Sequence, residues 1–274
     1  MAVYSNYAYV IRQRISYLVD DMIGGRTYTP SSAGTTSTIV CTSLLEPDDF
    51  YNGMTAQIYS GTNVNEFREI TDWDLATYTL TLAPVFTAET ATSSLFEIHQ
   101  IFTPSEYLNA INMAIESAAD REFFIPIIDV TVALEDGTQE YSLPTNMFAV
   151  EQITEETEAD GDEYKEAKVI DPRDYRVIKA YPPILKFDEA RYPIGSGRDE
   201  KDIRIEGYGV QDIVSSDANT IALPTDWLVW KAITCLPYSK ILSNNLLNTF
   251  NMALRMSEKG VSALPSSKSK WSIE

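Results

Sequence analysis

The chain has 274 residues, of which 44% are hydrophobic and 22% charged, and this globular composition excludes a wholly disordered polypeptide. Its net charge of −19 excludes a general attraction to nucleic acid, because phosphate binding needs clustered lysine and arginine. No apolar run approaches the roughly 20 residues that cross a bilayer, and the first residues lack a signal-peptide pattern. We expect a soluble protein made in the cytoplasm, with Cys41 and Cys235 as buried, reduced thiols.

Residues 4–23 predict an amphipathic helix, which is the first element of a helical core that begins with residues 1–26. Its apolar residues recur at spacings of four, three and four, so they share one face. These residues are Ile11, Ile15, Leu18 and Met22. Arg12 and Gln13 fall off this stripe, and Gly24-Gly25 is expected to end the helix with a left-handed cap.

Residues 27–101 are rich in Thr, Ser and Gly and contain short alternating runs. This pattern predicts an inserted β module built as a small barrel or sandwich. Turns are expected at Asn52-Gly53 and Ser60-Gly61. The strand candidates are Ser37–Cys41, Thr55–Tyr59, Glu66–Thr71, Thr77–Leu82 and Leu95–Ile101.

Helical character returns at Thr103-Pro104-Ser105-Glu106, a capping box with proline at the first helical position. The helix that it opens lies within residues 102–125 and is interpreted as the hairpin partner of the first helix. Residues 126–223 then predict a second β-rich domain, with a hairpin turn at Asp136-Gly137. Its strand candidates are Asp129–Leu134, Thr138–Leu143, Val169–Ile170, Ile184–Phe187 and Ile203–Ile205.

The last part of the chain predicts further core helices within residues 224–261. Thr225 caps the first of them, and Trp227 and Trp230 are expected on its buried side. Residues 262–274 show no periodicity and are expected to form an extended tail. The predicted fold class is therefore α+β, with a helical hairpin or bundle core, an inserted small β-barrel-like module and a second β-rich domain.

The sequence offers few parts for a catalytic or metal site. His99 is the only histidine, and alternation along its strand predicts Phe96 and Ile98 inside and Glu97 and His99 on the outer, solvent-facing side. The chain has no cluster of zinc ligands and no nucleophile motif. We therefore expect no enzyme activity, no cofactor, and no catalytic, cofactor-binding or metal-binding residues.

Carboxylates gather in two kinds of segment. Asp48-Asp49 and the pair Asp72 and Asp74 flank turns, where aspartate caps the backbone. A glycosidase that uses Asp72 or Asp74 is the weakest alternative. Residues 151–166 hold eight carboxylates against one lysine and are interpreted as a solvated acidic loop.

Ordered motifs over residues 1–260 carry a resemblance to a known family. Outside the inserted module they are Tyr141–Met147 with Val150–Ile153, Arg173–Tyr175 leading to Ile203–Gly209, and Ile221–Val229 opening a helix. Within the module they are Thr38–Val40, Tyr51–Gly53, Ser60–Thr62 and Arg68–Asp72 followed by Thr79–Leu82. The module is similar to a β domain of phage virion proteins, and the whole set resembles the head-to-tail adaptor, or connector, proteins of tailed bacteriophages.

The resemblance implies a structural virion protein in the neck between capsid and tail. About twelve copies would form a homo-oligomeric ring below the portal, extend the DNA channel and provide the attachment platform for the tail. The implied partners are the portal protein and the tail or neck proteins, and DNA would pass through without specific binding. The C-terminal segment would dock onto the portal, with Trp271 as an anchor flanked by Lys268 and Lys270.

The acidic run is a candidate surface of the DNA channel, because carboxylates there would repel phosphate at short range. Its candidate residues are Glu155, Glu156, Glu158, Asp160, Asp162 and Glu163. A loop that faces bulk solvent is an equal alternative. Two other functions also stay open. One is another neck component such as a tail terminator, and the other is a carbohydrate-binding adhesin whose β module presents aromatic side chains to a glycan.

Overall fold

The computed structural model describes residues 6–120, 123–157 and 163–259 and divides the chain into two compact units. Unit 1 comprises Met1–Ser117 and Ile213–Glu274, and unit 2 comprises Ala118–Asp212. The described helices are α1 (Ala8–Leu18), α2 (Pro104–Asp120), α3 (Thr225–Ile233), α4 (Tyr238–Ser243) and α5 (Leu247–Lys259). The described strands are β1 (Asn6–Tyr7), β2 (Thr38–Val40), β3 (Thr55–Ser60), β4 (Phe67–Asp74), β5 (Thr79–Ala83), β6 (Leu95–His99), β7 (Ile125–Ala133), β8 (Glu140–Ser142), β9 (Met147–Glu155), β10 (Tyr175–Ile178), β11 (Ile184–Phe187), β12 (Asp202–Gly209) and β13 (Thr220–Ile221).

The inserted module of unit 1 forms one antiparallel sheet in the order β2-β5-β4-β3-β6. All five strand candidates are confirmed, with their ends shifted by a few residues. Leu80 and Leu82 lie in the core with Trp73, as the period-two pattern predicts. The turn after β3 requires Gly61, because its φ is +90° and a Cβ there would lie 2.8 Å from the Cα of Ser94.

Local hydrogen bonds decide where the helices of unit 1 begin and end. The predicted capping box is confirmed at α2: Thr103 N donates to Glu106 Oε2 at 2.8 Å, and Glu106 N donates to Thr103 Oγ1 at 3.3 Å. Helix α1 is shorter than the predicted helix over residues 4–23 and ends at Leu18. The chain leaves the helical region at Asp20, whose φ is +52°.

The predicted helical hairpin or bundle core is wrong. Thirteen strands in four sheets accompany five helices in the described residues, and α1 packs against α3, which packs against α5. Helices α1 and α2 do not pack together as a hairpin. Strand β6 lies against both of them instead, and its His99 contacts Arg12 of α1 and the ring of Tyr107 of α2. The barrel-like form predicted for residues 27–101 is also wrong, since the five strands form one sheet whose outer strands, β2 and β6, do not pair with each other.

Unit 2 consists of two antiparallel sheets, ordered β7-β12-β9 and β10-β11-β8. Strands of both sheets contribute to one core, in which Ile153, Phe187 and Ile205 are at most 1% exposed. The strand candidates Ile184–Phe187 and Ile203–Ile205 are confirmed in β11 and β12. Strands β9 and β10 were not among the candidates.

The hairpin predicted around Asp136-Gly137 is wrong. β7 pairs with β12 and β8 pairs with β11, so the two strands that flank this turn belong to different sheets. The turn itself is present and is held by a distant segment, because Gly137 N donates to Ile194 O at 3.0 Å. Both segments that flank the turn form strands, as predicted, but their pairing depends on segments that follow much later in the chain.

Residues 213–223, which the sequence assigns to the second β-rich domain, group with unit 1 in the structure. Strand β13 pairs with β1 through Asn6 and Ile221, and Tyr9 N donates to Asp217 O at 3.1 Å. This return of the chain carries Asp217 to the start of α1.

Candidate functional site

Three of the nine site residues named from the sequence lie in the described part of the chain. Glu163 is exposed and forms an ion pair with Lys165 at 2.9 Å. Glu155 and Glu156 are only 6% and 1% exposed, so the prediction that they lie in a solvated loop is wrong. The six that lie outside the described residues are Glu158, Asp160, Asp162, Lys268, Lys270 and Trp271.

Glu155 ends strand β9 and is buried because unit 2 supplies it with partners. Its Oε2 accepts hydrogen bonds from Arg198 Nε at 3.1 Å and from the Tyr192 hydroxyl, and its Oε1 lies 3.4 Å from Lys201 Nζ. Burial opposes ionisation, but the hydrogen bonds from Tyr192 and Arg198 outweigh it and lower the pKa of Glu155. This carboxylate is therefore engaged inside unit 2.

Asp74 of the β module caps a turn, as the sequence indicates, whereas Asp72 lies within strand β4 and pairs with Thr81. Asp74 Oδ1 accepts the backbone N–H of Ala76 at 2.8 Å, and its Oδ2 accepts the Thr77 hydroxyl at 2.8 Å. The hydrogen bond from Thr77 lowers the pKa of Asp74. Asp48 Oδ1 accepts the backbone N–H of Leu75 at 2.7 Å. Asp74 thus stabilises its own turn, whereas Asp48 stabilises the turn after β4 from a distant segment.

The large aromatic side chains of the β module lie mainly in its core. Tyr51, Trp73 and Phe96 are at most 2% exposed, whereas Phe50 is 43% exposed. A glycan-binding platform needs several exposed rings on one surface, and this distribution does not provide one in the described module.

A charged cluster that the sequence did not reveal lies in unit 1. We call it the buried charged cluster. It draws on α1, the turn after α1, β6 and the segment before β13. Its members are between 0% and 8% exposed, although side chains of this kind are rarely buried unless they are paired. They are Arg12, Asp21, Glu97, His99 and Asp217.

Arg12 joins two carboxylates of this cluster. Its Nη1 donates to Glu97 Oε2, its Nε donates to Asp217 Oδ2 at 3.0 Å, and its Nη2 lies 2.9 Å from that same oxygen. Two amides add to these contacts: Gln13 Nε2 donates to Glu97 Oε1, and Gln57 Nε2 donates to Asp217 Oδ2 at 2.9 Å. Burial opposes the charge of Arg12, but Glu97 and Asp217 outweigh it and raise the pKa of the guanidinium.

His99 lies between Glu97 and Asp21. Its Nε2 is 3.3 Å from Glu97 Oε2 and its Nδ1 is 3.2 Å from Asp21 Oδ2, an oxygen that also accepts the Tyr107 hydroxyl at 2.6 Å. Burial disfavours the imidazolium, but the hydrogen bonds to Asp21 and Glu97 prevail and raise the pKa of His99. Burial likewise opposes ionisation of Glu97, but His99 and Arg12 lower the pKa of this carboxyl to about 2.

The predictions that Glu97 and His99 face solvent and that Arg12 lies off the buried stripe are wrong. Strand β6 is covered on both faces, because Phe96 and Ile98 enter the core of the module while Glu97 and His99 meet α1 and α2. A signal for Arg12 was present in the sequence. Buried positions of α1 recur at helical spacing and include the arginine. They are Ala8, Ile11, Arg12, Ile15 and Ser16.

Chemically, the buried charged cluster joins the elements of unit 1 through ion pairs. The imidazole of His99 is 1% exposed and both of its nitrogens face carboxylates, so it is engaged within the protein. Asp217 is the most exposed member at 8%, and it borders a cavity of about 220 Å³. A molecule from solvent therefore reaches this cluster at Asp217.

The helices of unit 1 expose a second feature, an apolar groove between α1 and α3. The groove has a volume of about 450 Å³ and is lined by Val10, Tyr17, Leu18, Val229 and Trp230, among others. Tyr17 is 68% exposed at its edge. Trp230, which the sequence placed on the buried side, is partly exposed here, whereas Trp227 is buried as predicted.

Helix α5 has a wider apolar surface than the described residues cover. Ala253 and Ser257 form its buried stripe against α3, where Trp227 Nε1 donates to Ser257 O at 3.0 Å. Four large apolar side chains of this helix stay 38–51% exposed. They are Leu247, Met252, Leu254 and Met256.

These four side chains border the buried stripe of α5 on both sides. At 100° per residue, Leu247 and Leu254 fall along one edge of the stripe, and Met252 and Met256 fall along the other. The polar arc that remains is narrow and includes Asn248 and Asn251. Exposed apolar strips on both flanks of a helix are typical of surfaces that contact other proteins.

Among the described residues, no group of three or more His, Cys, Asp or Glu side chains is arranged to hold a metal ion. Within the same ranges, no helix has the length and apolar character needed to span a membrane. A scan against protein-family models and a search of curated proteins found no match to this chain.

Proposed function

We propose that this chain is a non-catalytic structural virion protein, a head-to-tail adaptor that forms a ring below the portal of a tailed phage. The ring extends the DNA channel and gives the tail its attachment platform. The ordered sequence motifs suggest this function. The observation that supports it most directly is the pair of apolar strips that α5 exposes on either side of its buried stripe.

A ring of identical subunits needs two different surfaces that bind each other, because a heterologous interface repeats around the ring until it closes. Unit 1 has two such apolar surfaces. One is the flank of α5 with Met252 and Met256, and the other is the groove that Tyr17 borders between α1 and α3. In the proposed ring, the α5 flank of one copy packs in the groove of the next.

The charge of the chain agrees with a channel through which DNA moves. A net charge of −19 repels phosphate, and salt confines this repulsion to about 8 Å, so DNA slides past without binding. Affinity for the portal and the tail then depends on protein surfaces, including the segment with Trp271.

The proposal is tested by assembly on the portal protein of the same genome. We expect the purified chain to add a ring of about twelve copies to the portal, measured by light scattering and by negative-stain electron microscopy. The double variant Met252→Glu, Met256→Glu should remove the ring, because two carboxylates cannot be buried in an apolar contact without a large desolvation cost.

The matched control is Asn248→Glu, Asn251→Glu, which adds the same charge to the polar arc of α5 and should leave the ring intact. Circular dichroism of both variants checks that the helices persist. Rings that form equally with both variants would show that α5 is not the contact. If the purified chain forms rings that do not bind the portal, the result would favour the alternative that the protein is another neck component, such as a tail terminator.

A further inference from the structure

The inserted module of unit 1 has an apolar core of its own. The buried members of this core, within the part of the chain that the structure describes, lie between Tyr28 and Ile98, so no helix contributes to it. The rest of unit 1, which we call the helical base, comprises α1, residues 104–117 and residues 213–259. Separating the module from the base would therefore leave the module's core closed.

The face that the module turns toward the base is polar. Along β3 and β6, alternate side chains enter the module's core, and the side chains between them face the base. Gln57 and Glu97 lie side by side on this face, followed by His99, and all three are at most 2% exposed. Two bodies that meet through a polar contact are expected to move relative to each other more readily than bodies that share an apolar core.

Hydrogen bonds at Glu97 and Asp217 cross this interface, and we call them the latch. Arg12 Nη1 of the base donates to Glu97 Oε2 of the module. Gln57 Nε2 of the module donates to Asp217 Oδ2 of the base at 2.9 Å. When the latch opens, Arg12 keeps its ion pair with Asp217 in the base, and Glu97 keeps His99 at 3.3 Å in the module. Water then solvates the separated groups, so opening costs less than exposing an apolar core.

Packing at the interface is incomplete. The cavity of about 220 Å³ beside Asp217 lies between the two bodies, because Gln57 and Phe67 of the module and Leu108 and Ser216 of the base all line it. Atoms that border a void lose the dispersion contacts that a close-packed core provides. The module is therefore held to the base more by the latch than by close packing.

The two segments that join the module to the base are tied together at Asp21. Its Oδ1 accepts the backbone N–H of Ile101, and its Oδ2 accepts the Tyr107 hydroxyl of α2 at 2.6 Å. The first segment has a left-handed backbone at Asp20 and Gly24, with φ of +52° and +64°. Hinges are short segments of this kind, in which a few residues take up the change in backbone angles.

We propose that the inserted module is hinged at Asp21, is latched to the helical base by Arg12 and Asp217, and swings away from the base as a folded body. The structure shows the closed form. A partner that binds only the open form has to break the latch, so Arg12 sets how readily unit 1 changes shape. This motion is independent of ring formation.

The test measures two distances in the full chain by pulsed electron paramagnetic resonance. Spin labels at Ala76→Cys of the module and Asn251→Cys of the base span the interface, and labels at Ala76→Cys and Glu89→Cys lie within the module. All three positions are exposed. Cys41→Ala and Cys235→Ala remove the native thiols. With the latch intact, we expect one main distance for each pair.

Variants open the latch. Arg12→Met should raise the population of a longer distance across the interface about tenfold or more, because Glu97 and Asp217 lose their partner in the closed form. The matched control Arg14→Met removes an exposed pair with Asp226 on the same helix and should leave both distances unchanged. Gln57→Ala removes the hydrogen bond to Asp217 and should also raise the longer distance, so it decides the matter if Arg12→Met does not fold.

The pair within the module should keep its single distance in every variant, since the module moves as a folded body. A distance across the interface that matches the Arg14→Met control in both latch variants would overturn the proposal. Broadening of the pair within the module, in step with the pair across the interface, would also overturn it, because the module would then be unfolding instead of swinging.

Discussion

Five charged side chains share a buried space in unit 1, and each of them faces an opposite charge there. Moving single charges out of water is costly, so such residues are stable only as pairs that also satisfy one another's hydrogen bonds. His99 is central because each nitrogen of its ring faces a different carboxylate. Its protonation state therefore sets the charge balance around Asp21 and Glu97.

This arrangement predicts how the free energy of unfolding changes with pH. The pKa of His99 is raised above 6.5, so its stabilising contribution is full below pH 6.5 and is lost as pH rises through the raised value. The pKa of Glu97 falls from 4.5 to about 2, so its contribution is full above pH 4.5 and is lost as pH falls toward 2. Urea unfolding across pH should thus show a plateau between 4.5 and 6.5 with a decline on either side.

The variants His99→Gln and Glu97→Gln assign the two declines. His99→Gln should reduce the alkaline decline, and it tests one group only because the chain has a single histidine. Glu97→Gln should reduce the acid decline. An alkaline decline of unchanged size in His99→Gln would show that another group causes it.

The elements of unit 1 are joined by this cluster as well as by apolar packing. Arg12 connects α1 to β6 through Glu97 and to the segment before β13 through Asp217. These contacts link residues 85 and 205 positions apart in the chain. One arginine thus holds together a helix, an inserted module and a returning strand.

Replacing Arg12 tests this role. Arg12→Met should lower the free energy of unfolding by about 3–5 kcal/mol, because Glu97 and Asp217 would be left buried without their partner. The matched control is Arg14→Met on the same helix, where side chains 53% and 92% exposed form the pair with Asp226. Its loss should stay below about 1 kcal/mol, since exposed pairs contribute little. Urea denaturation measures both, and equal losses would contradict the role given to Arg12.

At the scale of the whole molecule, the two units have separate cores. Every residue in the core of unit 2 lies between positions 132 and 205, inside the range that defines this unit. A compact region with its own apolar core is expected to fold independently.

The whole-molecule prediction is that a fragment of residues 118–212 folds by itself. Its ¹H–¹⁵N spectrum should be dispersed, and it should unfold cooperatively in urea. Phe187→Ala should destabilise this fragment by about 3–5 kcal/mol, because it leaves a cavity in the core. Phe148→Ala, at a side chain that is 59% exposed, is the control and should have little effect. A fragment without dispersed signals would mean that unit 2 needs the rest of the chain.

The sequence by itself determined the features that depend on neighbours in the chain. The strands of the inserted module, the capping box of Thr103 and Glu106 and the turn at Asp74 were all predicted correctly. Alternation, capping and turn formation involve residues a few positions apart, so their physical causes are visible in a short window.

Only the tertiary structure decided which strands pair, which helices pack and which charges are buried. Alternation showed that Glu97 and His99 share a face, but not that α1 and α2 cover that face. Arg12, Asp21 and Asp217 reach it from segments remote in the chain, and a buried charge is stable only where such partners arrive.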